Sequence, residues 1–585
     1  MILQALYDYY HRKCAADDPA ERLPAYGLEL KEIPFVLEIT VEGDLVQLRD
    51  TRSVAGTKKI GRRYLVPQGV KKASGIAANL LWDNLEYVTG IDTRGKPDRV
   101  IEQHLAFRAR IDALPDHIQS DAGLQAVRRF LGRMDGERLT LEPAFAEAKE
   151  TNAVMSFQLQ SDDGLVCQRP SIISAAIDSG VSKAPGNTPE QSATCLVTGN
   201  VTEPERLHAA IKGVWGSQTF GANIVSFNLE AFESYGKRKR QGENAPIGKP
   251  AAFAYTTALN HMLRTGSRNR LQIGDASTVC WADQDTEFDS LLAEIFGQHD
   301  NPDDGVQAVS SLFAALQSGR FDGVEGDTVY YVLGLAPNAA RISVRFFHRM
   351  TIRELAPRIV QHFDDLKLAH GPHDPDYPPV FRLLTACAVQ SKAENIPPNL
   401  GGAILDAILA GADTPYPSLW LNAAINRCRA ERNVSYFRAA AIKAYLNRSI
   451  RRNPKEKEFQ PMLDAANTNT AYRLGRLFAV LEKIQEEASP GLNATIRDRY
   501  YGAASSTPVA VFTTLLRLKN AHLKKLGSPR SIWFEKLLGE VLGSVSDFPA
   551  HLALADQGRF ALGYYHQRQA FFSKADKTES NEENN

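Results

Sequence analysis

Four consecutive cations, Lys237, Arg238, Lys239 and Arg240, stand between Gly236 and Gly242 in the stretch SFNLEAFESYGKRKRQGENAPIGKPAAFAYTTALN, Ser226 to Asn260. Adjacent like charges repel and cannot enter a core unpaired, so this tip faces water or a polyanion. Gln241 and Asn244 add amides that can bond base edges, beside cations, including Lys249, that can hold phosphates. Phe227, Leu229 and Phe232 are expected to pack on one side before the loop. Ala251 to Leu263, opened by Pro250, is expected to be a buried helix behind it. The loop is then anchored at both ends and free at its tip. An ordinary solvated surface run is the alternative.

A second basic block runs from Arg49 to Lys72. Eight cations (Arg49, Arg52, Lys58, Lys59, Arg62, Arg63, Lys71, Lys72) face one acid, Asp50, giving +7 in 24 residues. Gly56, Gly61, Gly69 and Gly75 let the backbone approach a ligand closely, and Ser74, Asn79 and Trp82 follow where a helix or turn begins. Asn79 joins Gln241 and Asn244 as an amide able to read bases. An exposed strand edge protected from aggregation by its charges is the alternative. Between Asn422 and Arg530 a third bias appears, 20 Lys/Arg against 8 Asp/Glu. Within it Arg473, Arg476, Arg497 and Arg499 are expected on polar helix faces that could line a strand of nucleic acid. Pairing with Glu482, Glu486 and Asp498 is the competing possibility.

Other clusters lack the pattern that chemistry needs. GTKKIGRR, Gly56 to Arg63, has the glycine spacing of a phosphate loop but continues Arg-Arg where lysine and a magnesium-binding hydroxyl belong. Asp283, Asp285, Glu287 and Asp289 alternate like a calcium loop without its central glycine or terminal glutamate. His370-Gly-Pro-His373-Asp374 lies among prolines, so no helix holds two histidines toward a metal. It reads as an interdomain linker. No catalytic residue, metal site or cofactor is expected.

The frame that must carry the basic blocks follows from length and pattern. At 585 residues and 43% hydrophobic composition the chain can bury about two to four cores. The 68 basic and 68 acidic residues cancel, so placement of charge matters more than its sum. Six scattered cysteines without a CxxC pair suggest neither zinc nor disulfides and fit a reducing cytoplasm. MILQALYDYYHRK reads as a first helix without a signal-peptide cleavage site, and no apolar run approaches the length of about 18 residues needed to cross a membrane.

FVLEITV and LVQLRD form an antiparallel hairpin around Glu42-Gly43-Asp44. NAVMSFQLQ and GLVCQ suggest another around Asp162-Asp163-Gly164, and TVYYVLGLA with ARISVRFFH a third, closed by Pro337-Asn338. Helical spacing fills Asp98 to Glu150, and a Pro, Gly and Ser rich loop spans Ser179 to Gln191. Beyond residue 376 the pattern is helical throughout, with Asn469 and Thr470 capping one helix and Ser506-Thr507-Pro508 starting another. The expected fold is an α+β N-terminal domain with antiparallel hairpins, 1–370, followed by an all-α C-terminal helical bundle, 376–575. The polar tail, 576–585, is expected to be disordered.

Long blocks along the whole chain carry a family likeness: MILQALYDYYHR, SGIAANLLWDNLEYVTG, SFNLEAFESYGKRKRQGENAP with AFAYTTALN, RLQIGDASTVCWA, VLGLAPNAARISVRFFHR, AYRLGRLFAVLEKIQEEASPGLNATIRDRYYGAASSTP and LGYYHQRQAFF. In these the chain resembles the large subunit of the type I-C CRISPR surveillance complex, Cascade, which reads the protospacer-adjacent motif (PAM). The resemblance implies a ribonucleoprotein partnership with CRISPR RNA and with backbone and RNA-processing subunits. It also implies binding and opening of double-stranded target DNA, retention of the displaced strand, and recruitment of a separate helicase-nuclease. It further implies that residues 462–585 are similar to the small helical subunit, with Met462 a candidate internal start. A metal-dependent nuclease of antiviral defence, or a scaffold binding only RNA and protein, are the rival classes.

Overall fold

The computed structural model describes residues 1–18, 21–55, 58–70, 75–133, 136–181, 192–237, 240–297, 302–453 and 456–572. Lys71, Lys72, Arg238, Lys239, most of the loop Ser179 to Gln191 and the tail from Asp576 lie outside them, as does the side chain of Lys58. The chain divides into two compact units, one mainly 3–209 with 227–258, the other mainly 210–226 with 259 onward.

The first unit opens with helix Ile2–Cys14, as expected, and is built on a four-stranded sheet. Its order is Leu45–Asp50, Phe35–Ile39, Val154–Leu159, Trp82–Asn84. The hairpin of the first two strands is antiparallel, with Phe35 opposite Asp50. Gly43 in its turn has φ +91, and a side chain there would begin 2.7 Å from the Arg129 Cβ, so only glycine fits. Phe35–Ile39 is parallel to Val154–Leu159, a pairing that local spacing could not announce. Four of its five residues are buried, the near-continuous apolar run of a strand covered on both faces. Phe107 and Phe130 of helices Pro97–Asp112 and Ala122–Arg133 pack on Phe157.

The hairpin expected around residues 162–164 does not form. Val154–Leu159 already has a partner on each edge, so GLVCQ keeps one bridge, Gln158 to Leu165. It then turns through the 3-10 segment Val166–Gln168 into helix Pro170–Val181.

The second unit carries an antiparallel sheet in chain order: Arg270–Ile273, Ala276–Ala282, Val329–Asn338, Arg341–Thr351. The predicted long hairpin is present, with Asn338 opposite Arg341 and the turn two residues later than Pro337-Asn338, at Ala339-Ala340. Thr351 caps helix Ile352–Leu366 in a reciprocal box with Glu354. Helices dominate from there to Leu554–Ala570. One apolar cluster joins the inner sheet face (Tyr330, Val332, Phe346) to bundle residues such as Trp420, Phe478 and Phe560.

Helix Thr470–Ala488 is capped as expected, Asn469 Oδ1 accepting from Tyr472 N at 3.2 Å. Helix Val509–Leu523 is not. The Ser506 and Thr507 hydroxyls instead donate back to Gly502 and Ala503 carbonyls at 2.8 and 3.2 Å, satisfying the end of the preceding helix. Fold class is thus α+β with antiparallel strand pairs, followed by a helical C-terminal region. All six cysteines are free thiols.

Candidate nucleic-acid interface

The basic loop is a folded turn on a fixed base. Tyr235 and Gly236 both have positive φ, 55 and 73, and Lys237 N donates to Ser234 O at 3.1 Å, closing a tight turn. Asn244 ties its two ends together. Its Oδ1 accepts from Ser234 N at 3.0 Å, and its Nδ2 donates to Lys237 O at 3.2 Å and Gln241 O at 3.0 Å. Gln241–Asn244 is a 3-10 turn whose Gly242 N donates to Arg206 O. A Cβ on Gly242 would lie 2.4 Å from Glu205 O, so the sequence needs glycine there.

Behind the loop, helix Lys249–Met262 is seated by Phe253, whose ring meets Tyr10 at 5.9 Å and Tyr26 at 5.4 Å. Leu229 and Phe232 are not buried as expected but are 56% and 43% exposed, at a short 3-10 segment, Glu230–Phe232, none of whose residues is buried.

Charge in this loop is unevenly spent. Arg240 pairs with Glu243, and Lys249 with Glu203 at 2.6 Å. Lys237 Nζ donates to the Glu243 carbonyl at 3.0 Å, and Arg206 Nε to Gln241 Oε1 at 2.8 Å, and neither of these bonds cancels a charge. Arg206 was not legible as a site residue; its place follows from the loop folding back onto residues 205–206.

The block Arg49 to Lys72 forms two antiparallel pairs, Leu28–Glu32 with Arg63–Pro67 and Ser53–Ala55 with Lys58–Ile60. Distant acids neutralise part of it. Glu147 accepts from Arg52 and, at 3.0 Å, from Lys59, and these cations hold its carboxyl below the usual range. Arg52 does the same to Asp50. Arg63 reaches Glu32 at 3.3 Å, Arg49 bonds Gln158, and Arg62 lies over the Tyr64 ring.

Asn79 is not presented to a ligand. It is buried, its Oδ1 accepting from Val70 N at 2.9 Å and its own N–H donating to Asp83. Gln68 N donates to Gly27 O, next in sequence to the Tyr26 that packs on Phe253. This chain of contacts links the end of the first block to the helix behind the second, within one unit.

Two of the four helical arginines are misplaced by the expectation of polar faces. Arg473 and Arg476 are 5% and 1% exposed, because helix Thr470–Ala488 is enclosed by its neighbours. Arg473 donates to the Glu540 and Val541 carbonyls at 3.0 and 3.1 Å, satisfying the end of helix Ser528–Leu542. Arg476 holds Gln567 and Glu540 at 3.0 and 2.7 Å. Arg497 leans toward buried Glu482 at 3.5 Å, whose carboxyl is pushed up by burial. Arg499 is exposed and has no ionic or hydrogen-bond partner among the described residues.

His370 bonds Asp376 at 3.1 Å and its ring lies 4.9 Å from that of Tyr436. Glu287 and Asp289 sit at the start of helix Phe288–Phe296. Among the described residues no group of three or more His, Cys, Asp or Glu is arranged to hold a metal ion, and no helix is long and apolar enough to cross a membrane.

An α+β unit carrying a stapled basic loop, in a chain whose remaining length is largely helical, defines the class: a large two-unit protein with basic clusters on its strands, one loop and its C-terminal helices. The family model described as CRISPR-associated protein (Cas_Csd1) matches residues 6–572, and the chain belongs to that family. A search of curated proteins found no match.

Proposed function

We propose that this protein is the non-catalytic large subunit of a type I-C Cascade complex. In this reading it assembles with CRISPR RNA, the backbone and RNA-processing subunits and a small helical subunit in the cytoplasm. It binds duplex DNA at the PAM, promotes strand opening, holds the displaced strand and enables recruitment of a separate helicase-nuclease. Membership of the Cas_Csd1 family over residues 6–572 is the observation that carries it. A protein that leaves sequence to base pairing needs phosphate contacts and few base contacts, which suits a basic loop carrying one adjustable amide.

Lys237, Arg240 and Arg206 are the phosphate contacts in this proposal, with Lys59, Lys249, and Arg238, Lys239, Lys58, Lys71 and Lys72 of the same blocks. Gln241 is the base reader, its Oε1 accepting from Arg206 Nε at 2.8 Å and its side-chain NH2 left as the donor to a base edge. Asn244 and Asn79 act through the backbone they hold. For the displaced strand Arg499 and Arg497 are the contacts, whereas Arg473 and Arg476 support the bundle.

The test is binding of the assembled complex to PAM-bearing and PAM-free duplexes across a salt series. Lys237→Ala with Arg240→Ala should lower affinity for both DNAs and flatten the slope by about two units, one per lost phosphate contact. Gln241→Ala should weaken PAM-bearing DNA selectively, by about 1 to 3 kcal/mol. Equal binding of the two duplexes by the unaltered complex would favour the scaffold, and metal-dependent cleavage by the chain alone would favour a nuclease.

A further inference from the structure

Tyr235 is the most exposed aromatic residue of the basic loop, at 96%, and no hydrogen bond or ring contact ties it to any described residue. It nevertheless occupies a demanding backbone position. At φ 55, followed by Gly236 at φ 73, it is the first central residue of a turn closed by Lys237 N to Ser234 O. Mirror-image turns of this kind favour Asn, Asp or Gly at that place, because a bulky L-residue is strained in the left-handed region. The ring is 96% exposed and packs on none of the described residues, so it adds little to the fold. Yet the strained turn is held from three directions: Asn244 bonds Ser234 and Lys237, Lys237 Nζ bonds Glu243 O, and Gln241 N donates to Glu233 Oε1 at 3.2 Å. A side chain costly to its own backbone, exposed, and carried on a turn held in place points to a ligand.

The surroundings define that ligand. A Cβ built on Gly236 would meet nothing within 4 Å among the described residues, so there is room beside the ring at the turn. Lys237 and Arg240 follow within five residues along the chain, and Arg206 is bonded to Gln241 at the base. An exposed aromatic face among cations matches a nucleobase whose own phosphates are held on either side.

We infer that Tyr235 stacks on an unpaired or unstacked base of the DNA that the loop grips, so that the loop holds open DNA better than closed duplex. This rests on the proposed DNA-binding role but concerns a separate step: cations supply affinity for any duplex, while the ring supplies preference for disrupted base pairs.

The experiment titrates the full-length protein against two DNAs of equal length, one fully paired and one with a short central mismatch bubble carrying 2-aminopurine. The unaltered protein should prefer the bubble and change the 2-aminopurine emission. Tyr235→Ala should lower bubble affinity by about 5- to 150-fold, the range for one base–aromatic stack, with paired-duplex affinity and salt slope kept within about twofold. Tyr235→Phe and Tyr235→Trp should retain the preference.

Tyr235→Asn, which suits the turn, should unfold at the same or higher temperature than the unaltered protein and still lose the preference. A bubble preference untouched in Tyr235→Ala would overturn the inference. So would a full bubble preference in Tyr235→Asn. Absence of binding to either DNA by the unaltered protein would instead remove the DNA-binding role itself, and this inference with it.

Discussion

Replacing Gly475 with alanine drives a methyl group into the backbone of the facing helix. A Cβ there would lie 2.0 Å from Phe560 O and 2.7 Å from Tyr564 N. Reciprocally, a Cβ on Gly563 would lie 2.0 Å from Tyr472 O. A carbon and an oxygen normally come no closer than about 3.3 Å, so helices Thr470–Ala488 and Leu554–Ala570 must part by about 1.3 Å. No rotamer change relieves this, because the blocking atoms are backbone. The parting also loosens Phe478 against Phe560 and Tyr564, rings now about 6.0 Å apart.

Overpacking of this kind costs about 1 to 3 kcal/mol, and with two helices displaced the upper figure is expected. Amide hydrogen exchange over residues 470–488 should then lose about 100-fold in protection. The double variant with Gly563→Ala should cost less than the sum of the two singles, since one separation relieves both clashes. Gly539→Ala, at an exposed helical site with nothing within 4 Å, should instead gain up to about 1 kcal/mol. Protection in Gly475→Ala within twofold of the unaltered protein, or strict additivity in the double variant, would refute the reasoning.

Three further outcomes follow from other parts of the structure. His362 and His566 are buried, and burial pushes both down to about 3 from 6.5. Their stabilising effect is complete above pH 6.5 and is lost as pH falls from there toward 3, because the unfolded chain takes up protons first. Each should contribute a slope of up to about 1.4 kcal/mol per pH unit, and a flat denaturation midpoint between pH 7 and 4 would refute it. Met462 is 69% exposed rather than a core filler, so Met462→Leu should leave full-length stability unchanged. With a C-terminal tag, a second product of about 14 kDa, at about 110 Da for each of the residues 462–585, should vanish when that leucine is encoded by a codon that does not start translation; persistence of the product then excludes Met462 as its start. Glu147→Gln should release Lys59, while Arg52 stays paired with Asp50, tightening DNA binding at low salt and steepening the salt slope by up to about one unit, whereas an unchanged slope would take the first basic block off the DNA.

Helices and hairpins of local origin were legible because their periodicity repeats within a few residues. The 470–488 helix shows its apolar spacing and its Asn469 cap, and Arg341–Thr351 shows its alternation and the turn before it. Glycine and charge runs likewise marked where the basic turns lie. What a residue's polar atoms do is decided by partners far away in sequence. Glu147 cancels cations about ninety residues earlier, and helix Ser528–Leu542 supplies the carbonyls that bury Arg473. Asn79 and Asn244 had the chemistry to read bases, but the backbone claimed their amides first. The parallel partner of Phe35–Ile39 was equally hidden, since pairing with Val154–Leu159 is chosen by burial across more than a hundred residues. Composition and spacing thus determined the elements and where charge gathers. Only the tertiary structure decided which charges remain uncompensated, because hydrogen bonds and ion pairs form between whatever groups packing brings together.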